Sequence, residues 1–274
     1  MVNKVIDGKR TAKKRQQRPA SDPLYNVSVE KALLILEAFG HDGRALNLRE
    51  IARATDITKS SAQRCVHTLE RLGYLRRGGP LKPWVLAPRA LSIAHAYLAG
   101  HPLIEQATKH CVDLNLACGE SVSLCEPDDI SMVYIARFPS QKPFIIHFPV
   151  GRRLPIYCTA SGRVYLAALP RAVAASIIRR SDLRALTPMT LVAEDKIMRR
   201  IDEARILGYA WSEEECYRGD LSLAAPILAK DGRPIGAINV SGPTSRWTMA
   251  TFRKKLADLL METARAASTG VPAR

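Results

Sequence analysis

The stretch from residue 47 to residue 75 constrains the fold more than any other part of the chain. It reads NLREIARATDITKSSAQRCVHTLERLGYL, in which two short helical patterns are separated by a turn and followed by a strand. The first pattern covers Leu48 to Ala54 and the second covers about Lys59 to Leu72, each with apolar residues at steps of three and four. In the second pattern these steps predict a buried side formed by Ala62, Val66, Leu69 and Leu72. The segment therefore predicts a helix-turn-helix.

The second of these helices carries a polar face that suits contact with DNA. Opposite its apolar side lie hydroxyls, an amide and cations, namely Lys59, Ser60, Ser61, Gln63, Arg64 and His67. The major groove admits one helix, and side chains of these types reach base edges and phosphates. We expect Gln63 and Arg64 to read bases, and Ser60 and Ser61 to hold phosphates. The alternative is an ordinary amphipathic helix with a solvated polar face.

A basic hairpin follows the predicted recognition helix. Tyr74 to Arg76 is predicted to be a strand, Arg77 to Pro83 a turn, and Trp84 to Leu86 the return strand. A hairpin in this position is a wing, which would lay three cations along the phosphate backbone: Arg76, Arg77 and Lys82. With the helix that precedes it, the segment predicts a winged helix-turn-helix over residues 23–88.

The preceding helix is predicted from the segment SVEKALLILEAF. Ser28 is expected to cap it, and an apolar stripe is expected from Val29, Ala32, Leu33 and Leu36. Residues 1–22, rich in lysine and arginine, read as a disordered arm that either touches DNA phosphates or only aids solubility.

Charge and composition point to a polyanionic partner. The formal charge is +15, and the first 100 residues contain 18 Lys and Arg against 8 Asp and Glu. Nucleic acid is the expected partner, because lysine and arginine supply most non-specific affinity for DNA. A basic membrane-surface patch is the alternative, but no apolar-faced basic helix accompanies the charge. No apolar window is long enough for a membrane span.

The six cysteines and six histidines show no spacing typical of a metal site. The cysteines are expected to be reduced thiols of a cytoplasmic protein. The sequence therefore predicts no metal and no cofactor.

The remainder of the chain predicts a second domain. Residues 89–102 form a candidate linker helix, with the helical pattern running from Arg89 to about Ala99; it could also pair with its copy in a dimer, and His101-Pro102 ends it. Residues 103–270 combine helical segments with β-rich runs such as SVSLCE, MVYIARF and FIIHFPV. One long helix is expected to bury Ile197, Ile201, Ala204 and the pair Ile206 and Leu207. Antiparallel strands with helices on a face describe an α+β sensor-like domain.

Taken together, the chain resembles the IclR family of bacterial transcription regulators over residues 25–265. The resemblance is carried by SVEKALLILEAF, LREIARATDITKSSAQRCVHTLERLGYLRR, GRRLPIYCTASGRVYLAAL and LAAPILAKDGRPIGAINVSGP, in this order. It implies an N-terminal winged helix, a C-terminal effector domain of GAF-like fold, and dimers or tetramers on palindromic operators. The segment LPIYCTASGRVYLAAL is most similar to the branch that responds to aromatic acids such as protocatechuate or 4-hydroxybenzoate.

The resemblance also implies an effector site in the second domain. Its matching positions are Thr159, Ala160, Ser161, Gly162, Ser212, Asp220, Ser222, Asn239 and Ser241. A helix start favours an anion, because its first N–H groups lack partners within the helix. The alternative is that Thr159 is only a cap and the strand hydroxyls face solvent. Asp220 departs from the family pattern, and a carboxylate beside an anion is unfavourable unless it faces a hydroxyl or turns away.

Three arginines are further candidates for binding a carboxylate. Arg137, Arg152 and Arg153 are expected to be exposed on loops, and only Arg152 is kept as a secondary candidate.

Three functions are weighed. The first is a transcription regulator whose operator binding responds to a small, aromatic carboxylic acid and which controls a catabolic operon. The second is an architectural DNA-binding protein without an effector. The third is an enzyme that uses the C-terminal pocket, with Cys158, Cys216, His147 and Ser161 as nucleophile and base; no catalytic motif surrounds them.

Overall fold

The structure, a computed structural model, describes residues 22–40, 44–79, 82–142 and 149–268. Two compact units divide between Ala99 and Gly100. Residues 1–21 of the predicted arm lie outside the described residues, as do residues 144–148 of the FIIHFPV run. No helix within the described ranges has the length and apolar character needed to cross a bilayer.

The first unit is a three-helix core with a two-stranded hairpin and a following helix. Its elements are α1 (Val27–Ala38), α2 (Leu48–Thr55), α3 (Lys59–Arg71), β1 (Leu75–Arg77), β2 (Trp84–Leu86) and α4 (Ala90–Leu98). The two strands pair antiparallel, with Leu75 opposite Leu86. This arrangement confirms the predicted winged helix-turn-helix, although the first strand lies one residue later than expected.

Side-chain caps fix where these helices begin. Asn47 caps α2 in a capping box: Glu50 N donates to its Oδ1 over 3.1 Å, and Asn47 N donates to Glu50 Oε2 over 2.8 Å. Between α2 and α3, Asp56 adopts φ 54° and Thr58 caps α3. The cap of α1 is Asn26 and not Ser28, because the Asn26 side chain accepts from the N–H groups of residues 28 and 29.

The core of the first unit uses only part of the apolar surface of its helices. Ile35, Ile51 and Val66 are buried between α1, α2 and α3. Val29 and Leu33, predicted to be buried, are 53% and 52% exposed, because α1 is apolar on more than one side and packs through Ile35. Leu72 is also exposed, since it is the C-cap at which α3 ends. The prediction was wrong for these three residues.

The second unit is an α+β domain. Its helices are α5 (Pro102–Cys118), α6 (Ala160–Ala167), α7 (Arg171–Arg180), α8 (Glu194–Leu207) and α9 (Met249–Ser268). Its strands are β3 (Ser121–Asp128), β4 (Ser131–Phe138), β5 (Arg153–Pro155), β6 (Ala210–Glu213), β7 (Asp220–Leu228) and β8 (Pro234–Pro243). The strands form one antiparallel sheet in the order β5-β4-β3-β8-β7-β6.

Helices cover both faces of this sheet. Consecutive residues of β3, β7 and β8 are buried, which requires cover on both sides. α5 and α9 pack together on one face, while α6 packs on β7 and β8 from the other and against α8 and α7. The sequence indicated helices on one face only, because burial on both sides removes the alternation that separates the two faces.

The linker helix α4 ends at Leu98, close to the predicted end near Ala99, and Pro102 occupies the first turn of α5. One prediction about α8 needs correction. Ile206, expected to be buried, is 87% exposed, because the buried stripe of α8 runs through Ile197, Ile201 and Ala204.

Candidate DNA-binding face and effector site

The predicted recognition face lies on the exposed side of α3. Lys59, Ser60, Gln63, Arg64 and His67 are exposed, and Ser61 is half-buried. Ser61 N donates to the Thr58 cap over 3.3 Å, so the first turn is held at the end that would meet a phosphate. Within the described residues, the side chains of Lys59, Gln63, Arg64 and His67 make no hydrogen bond or ion pair, and their polar groups face outward. Thr58 was not singled out from the sequence, although threonine before a helical pattern is a common cap.

The wing is fixed to α3 through one carboxylate. Trp84 Nε1 donates to Glu70 Oε2 over 3.2 Å, and Arg77 Nε lies 3.7 Å from Glu70 Oε1. The Arg77 guanidinium also stacks 3.6 Å above the Trp84 ring. Arg77 is thus placed to stiffen the wing, whereas Arg76 and Lys82 extend outward from it and are exposed.

The helix start predicted for the effector site is the first turn of α6. Thr159 Oγ1 accepts from Gly162 N over 3.1 Å and donates to the Pro155 carbonyl. Thr159, Ala160, Ser161 and Gly162 are all buried. A Cβ at Gly162 would lie 2.0 Å from the Ile156 carbonyl oxygen, so only glycine permits this close approach. The first turn therefore packs tightly on the segment before it.

The predicted strand residues come together on the sheet face beneath α6. Ser222 lies opposite Ser241, and Asn239 lies opposite Ala224, so their side chains share a face. Asn239 Nδ2 donates to Ser222 Oγ. Ser222, Asn239 and Ser241 are 7%, 3% and 3% exposed, so these side chains are buried and do not face solvent. Ser212 lies opposite Ser222 and is buried too, but its hydroxyl already has a partner, since it donates to the Cys158 carbonyl over 3.0 Å.

The register of β3 and β4 adds residues that the sequence analysis missed. Ser123 lies opposite both Asn239 and Arg137, and Cys125 lies opposite Tyr134. The Ser161 side chain lies close enough to the Cys125 thiol to lower its pKa, which places the first turn of α6 over this face. The only available signal was the alternation of Ser121, Ser123 and Cys125 in SVSLCE.

The environment of Arg137 differs from the one predicted from the sequence. It was expected to be exposed, but its Nε and Nη1 atoms are buried. It lies on β4 and interacts electrostatically with Tyr134 and Asp220, while burial lowers its pKa. Arg152 is half-buried and donates to the Tyr217 hydroxyl over 3.0 Å, whereas Arg153 is exposed and pairs with Asp128.

Asp220 begins β7 on the same face. Burial raises its pKa from 3.8 to about 8, and Arg137 partly offsets this shift. The carboxyl is therefore mostly protonated at neutral pH and can donate a hydrogen bond. A protonated Asp220 would not repel a bound anion, so its position beside the predicted anion site is not unfavourable.

Three buried polar atoms on this face lack a partner among the described residues. They are Ser123 Oγ, Asp220 Oδ1 and Asn239 Oδ1. Buried polar groups normally have hydrogen-bond partners, so such a cluster calls for a further group between the sheet and α6.

Two family models match the chain. Residues 28–79 match the IclR helix-turn-helix domain, and residues 95–269 match the bacterial transcriptional regulator IclR C-terminal domain. The chain belongs to the IclR family. The resemblance predicted from the sequence is confirmed, and with it the two-domain fold of a transcription regulator.

The IclR relatives include regulators of aromatic catabolism. The chain is 30% identical to the Pca regulon regulatory protein of Pseudomonas putida, over 92% of this chain and 86% of that protein. It is 32% identical to the p-hydroxybenzoate hydroxylase transcriptional activator of Acinetobacter baylyi, over 88% and 90%. These relatives are named as regulators and not as enzymes, which agrees with the sequence analysis.

A solved IclR structure shares the fold. The IclR family transcriptional regulator from Brucella abortus superposes with a TM-score of 0.79 at 25% identity, covering 92% of this chain and 95% of that one. The two-domain architecture is therefore that of an IclR regulator.

Proposed function

We propose that this IclR regulator binds an operator through α3 and the wing, and that a small aromatic carboxylic acid bound beneath α6 changes its affinity for DNA. The operator is a palindrome read by two copies of the chain, and the protein works in the cytoplasm. The single observation that carries the effector site is the set of buried, unpartnered atoms at Ser123, Asp220 and Asn239.

Charge complementarity favours a monoanion. Arg137 contributes a positive charge to the sheet face, while Asp220 is mostly neutral at pH 7. A carboxylate would neutralise the arginine and accept from first-turn N–H groups of α6. The acid's ring would lie between the helix and the sheet, where Tyr134 and Cys125 give the face apolar area.

A hydroxylated aromatic acid, such as the p-hydroxybenzoate that appears in one relative's name, suits the remaining polar groups. A ring hydroxyl both donates and accepts, and so satisfies the Asn239 carbonyl oxygen and the Asp220 carboxyl. Aliphatic acids of the same charge would leave these groups unpaired, which costs affinity. We therefore expect 4-hydroxybenzoate or protocatechuate to bind better than a short aliphatic acid.

A thermal-shift screen of the full chain against aromatic and aliphatic acids tests this proposal. The wild type should melt higher with a hydroxybenzoate, because a ligand stabilises the state that binds it. Arg137→Met and Asn239→Ala should lose most of this shift, while Arg153→Met, which changes an exposed arginine paired with Asp128, should keep it. A shift retained in both site variants, or no shift with any acid, would contradict the proposed site and leave the architectural alternative.

The DNA-binding part is tested separately from the effector. Arg64→Ala and Gln63→Ala should lower affinity for a duplex selected from a random pool by the wild-type chain. Unchanged binding by both variants would mean that this face of α3 is merely solvated.

A further inference from the structure

Two cysteines meet beside the proposed effector site. The Sγ atoms of Cys158 and Cys216 lie 3.2 Å apart. Cys158 directly precedes the Thr159 cap of α6, and Cys216 lies in the segment between β6 and β7. They are 0% and 8% exposed. Because a disulfide has an S–S distance of about 2.05 Å, the two atoms need to approach by only about 1 Å.

Contacts around the two thiols hold them together. Cys216 Sγ donates to the Cys158 carbonyl over 3.4 Å, and Ser212 Oγ donates to the same carbonyl over 3.0 Å. The neighbouring Glu215 is fixed on both sides, by its ion pair with Arg163 and by Thr190 Oγ1, which donates to its carbonyl over 2.6 Å. Because the backbone around both cysteines is already held in place, the sulfur atoms can approach each other with little change in the conformation of the chain.

We propose that Cys158 and Cys216 are an oxidisable dithiol, which a small peroxide converts to an intramolecular disulfide. With hydrogen peroxide, Cys216 attacks first because it is the more exposed. Its sulfur takes one peroxide oxygen as the O–O bond breaks, giving a sulfenic acid and one water. The Cys158 sulfur then attacks the Cys216 sulfur, the S–S bond forms, and the oxygen leaves as a second water. The two thiols lose two electrons, and the peroxide gains them.

The packing also sets the rate of this reaction. The hydrogen bond with Cys158, and then burial, raise the pKa of the Cys216 thiol well above its usual value. Since the thiolate is the reactive form, oxidation of the closed site is slow at neutral pH and faster in alkaline buffer. Opening of the loop around Cys216 would expose the thiol, so a bound acid that holds the loop closed should slow oxidation.

The disulfide would tie the loop that leads into β7 to the start of α6. Tyr217 lies in that loop, Asp220 begins β7 directly after it, and Thr159 follows Cys158. A covalent link there restricts the movement of both elements around the ligand. This consequence rests on the proposed function, whereas formation of the bond does not.

Peptide mapping of the full chain tests the bond. The reduced protein is treated with hydrogen peroxide at about pH 8.5, near the ordinary thiol pKa, then alkylated, digested and analysed by mass spectrometry. We expect a linked Cys158–Cys216 peptide that dithiothreitol removes. Cys118→Ser, which removes a half-exposed cysteine of α5, should keep the linked peptide, and Cys216→Ser should lose it. Oxidation confined to Cys65 or Cys118 would overturn the proposal.

A melting experiment tests the consequence for ligand binding. The shift given by 4-hydroxybenzoate should be smaller in oxidised wild type, return with dithiothreitol, and be unaffected by peroxide in Cys216→Ser. An equal shift in the linked and reduced protein would overturn the regulatory role while leaving the dithiol. No shift in the reduced protein would count against the proposed effector site, and the peptide map would still decide whether the disulfide forms.

Discussion

Arg163 and Glu215 form a buried, bidentate ion pair between α6 and the loop that precedes β7. Arg163 Nη1 lies 2.5 Å from Glu215 Oε1, and Nη2 lies 2.6 Å from Oε2. The arginine also donates to the carbonyls of Tyr157 and Trp211, and Glu215 Oε2 accepts from Leu191 N. Both charges therefore have further partners, which a buried pair needs to offset its desolvation.

Removing one member of this pair should destabilise the second unit strongly. Arg163→Met leaves the Glu215 carboxylate buried without its cation, and we expect a loss of about 3–5 kcal/mol in the free energy of unfolding. Urea denaturation monitored by circular dichroism measures this loss. Arg171→Met breaks the exposed pair with Asp202 and should cost at most about 1 kcal/mol. Similar losses in the two variants would mean that the buried pair stabilises the protein no more than the exposed pair does.

Asp220→Asn should stabilise the empty protein in a pH-dependent way. The folded-state pKa of Asp220 is raised from 3.8 to about 8, so folding opposes its ionisation. At pH values well below about 4 the carboxyl is protonated in both the folded and unfolded states, and the substitution gives no gain from this source. The gain grows as the pH rises towards 8 and reaches about 1–3 kcal/mol at pH 7, less than the full pKa shift implies because the residue is partly exposed.

Thermal melts from pH 4 to pH 8 measure this gain. Asp258→Asn, which changes an exposed carboxylate on α9, provides the control and should show no such trend. A gain for Asp220→Asn that is constant with pH would contradict the raised pKa.

Gly162→Ala should disrupt the start of α6. The added Cβ would lie 2.0 Å from the Ile156 carbonyl oxygen, which cannot move without displacing the backbone. We expect a loss of about 3 kcal/mol or more, because overpacking here shifts the backbone. Gly232→Ala meets nothing within 4 Å but has φ 82°, so it should cost about 1–2 kcal/mol from backbone strain alone. Equal losses in chemical denaturation would show that the close approach is unimportant.

Arg64→Ala should weaken DNA binding in a base-dependent way. If Arg64 reads a guanine edge, the loss is about 1–3 kcal/mol and specificity relaxes at one position. Lys82→Ala, at a predicted phosphate contact, should weaken all sequences alike and lower the slope of log affinity against log salt by about 1. Arg71→Ala, at the exposed end of α3, is the control. Fluorescence anisotropy on selected and mutated duplexes separates these cases, and a uniform loss for Arg64→Ala would rule out base reading.

The first unit could be predicted closely because its signals are local. Apolar spacing in α2 and α3, and the basic hairpin that follows, required no knowledge of distant contacts. Which side of α1 is buried could not be read, since Val29, Leu33 and Ile35 are all apolar and tertiary packing alone selects among them. The predicted DNA contacts remain predictions.

The effector site could be predicted only in part. Thr159 as the cap of α6 could be predicted from residues nearby in sequence, whereas the close approach of Gly162 to Ile156 was not predicted. Arg137 was misjudged because its environment depends on strand pairing: a bulge between Leu124 and Cys125 sets the register of β3 on β4, and Asp220 comes from a strand more than 80 residues away. The residues next to Arg137 in the sequence do not determine that register.

The most direct test of the central claim is the operator affinity of the full chain with and without 4-hydroxybenzoate. A duplex selected by the wild type is titrated by fluorescence anisotropy, with Arg137→Met and Arg153→Met alongside. We predict that the acid changes wild-type affinity by about 5- to 150-fold, a coupling of about 1–3 kcal/mol, and that Arg137→Met abolishes the change while Arg153→Met keeps it. If saturating acid leaves wild-type affinity and the DNA footprint unchanged, the account of an acid-controlled regulator is contradicted.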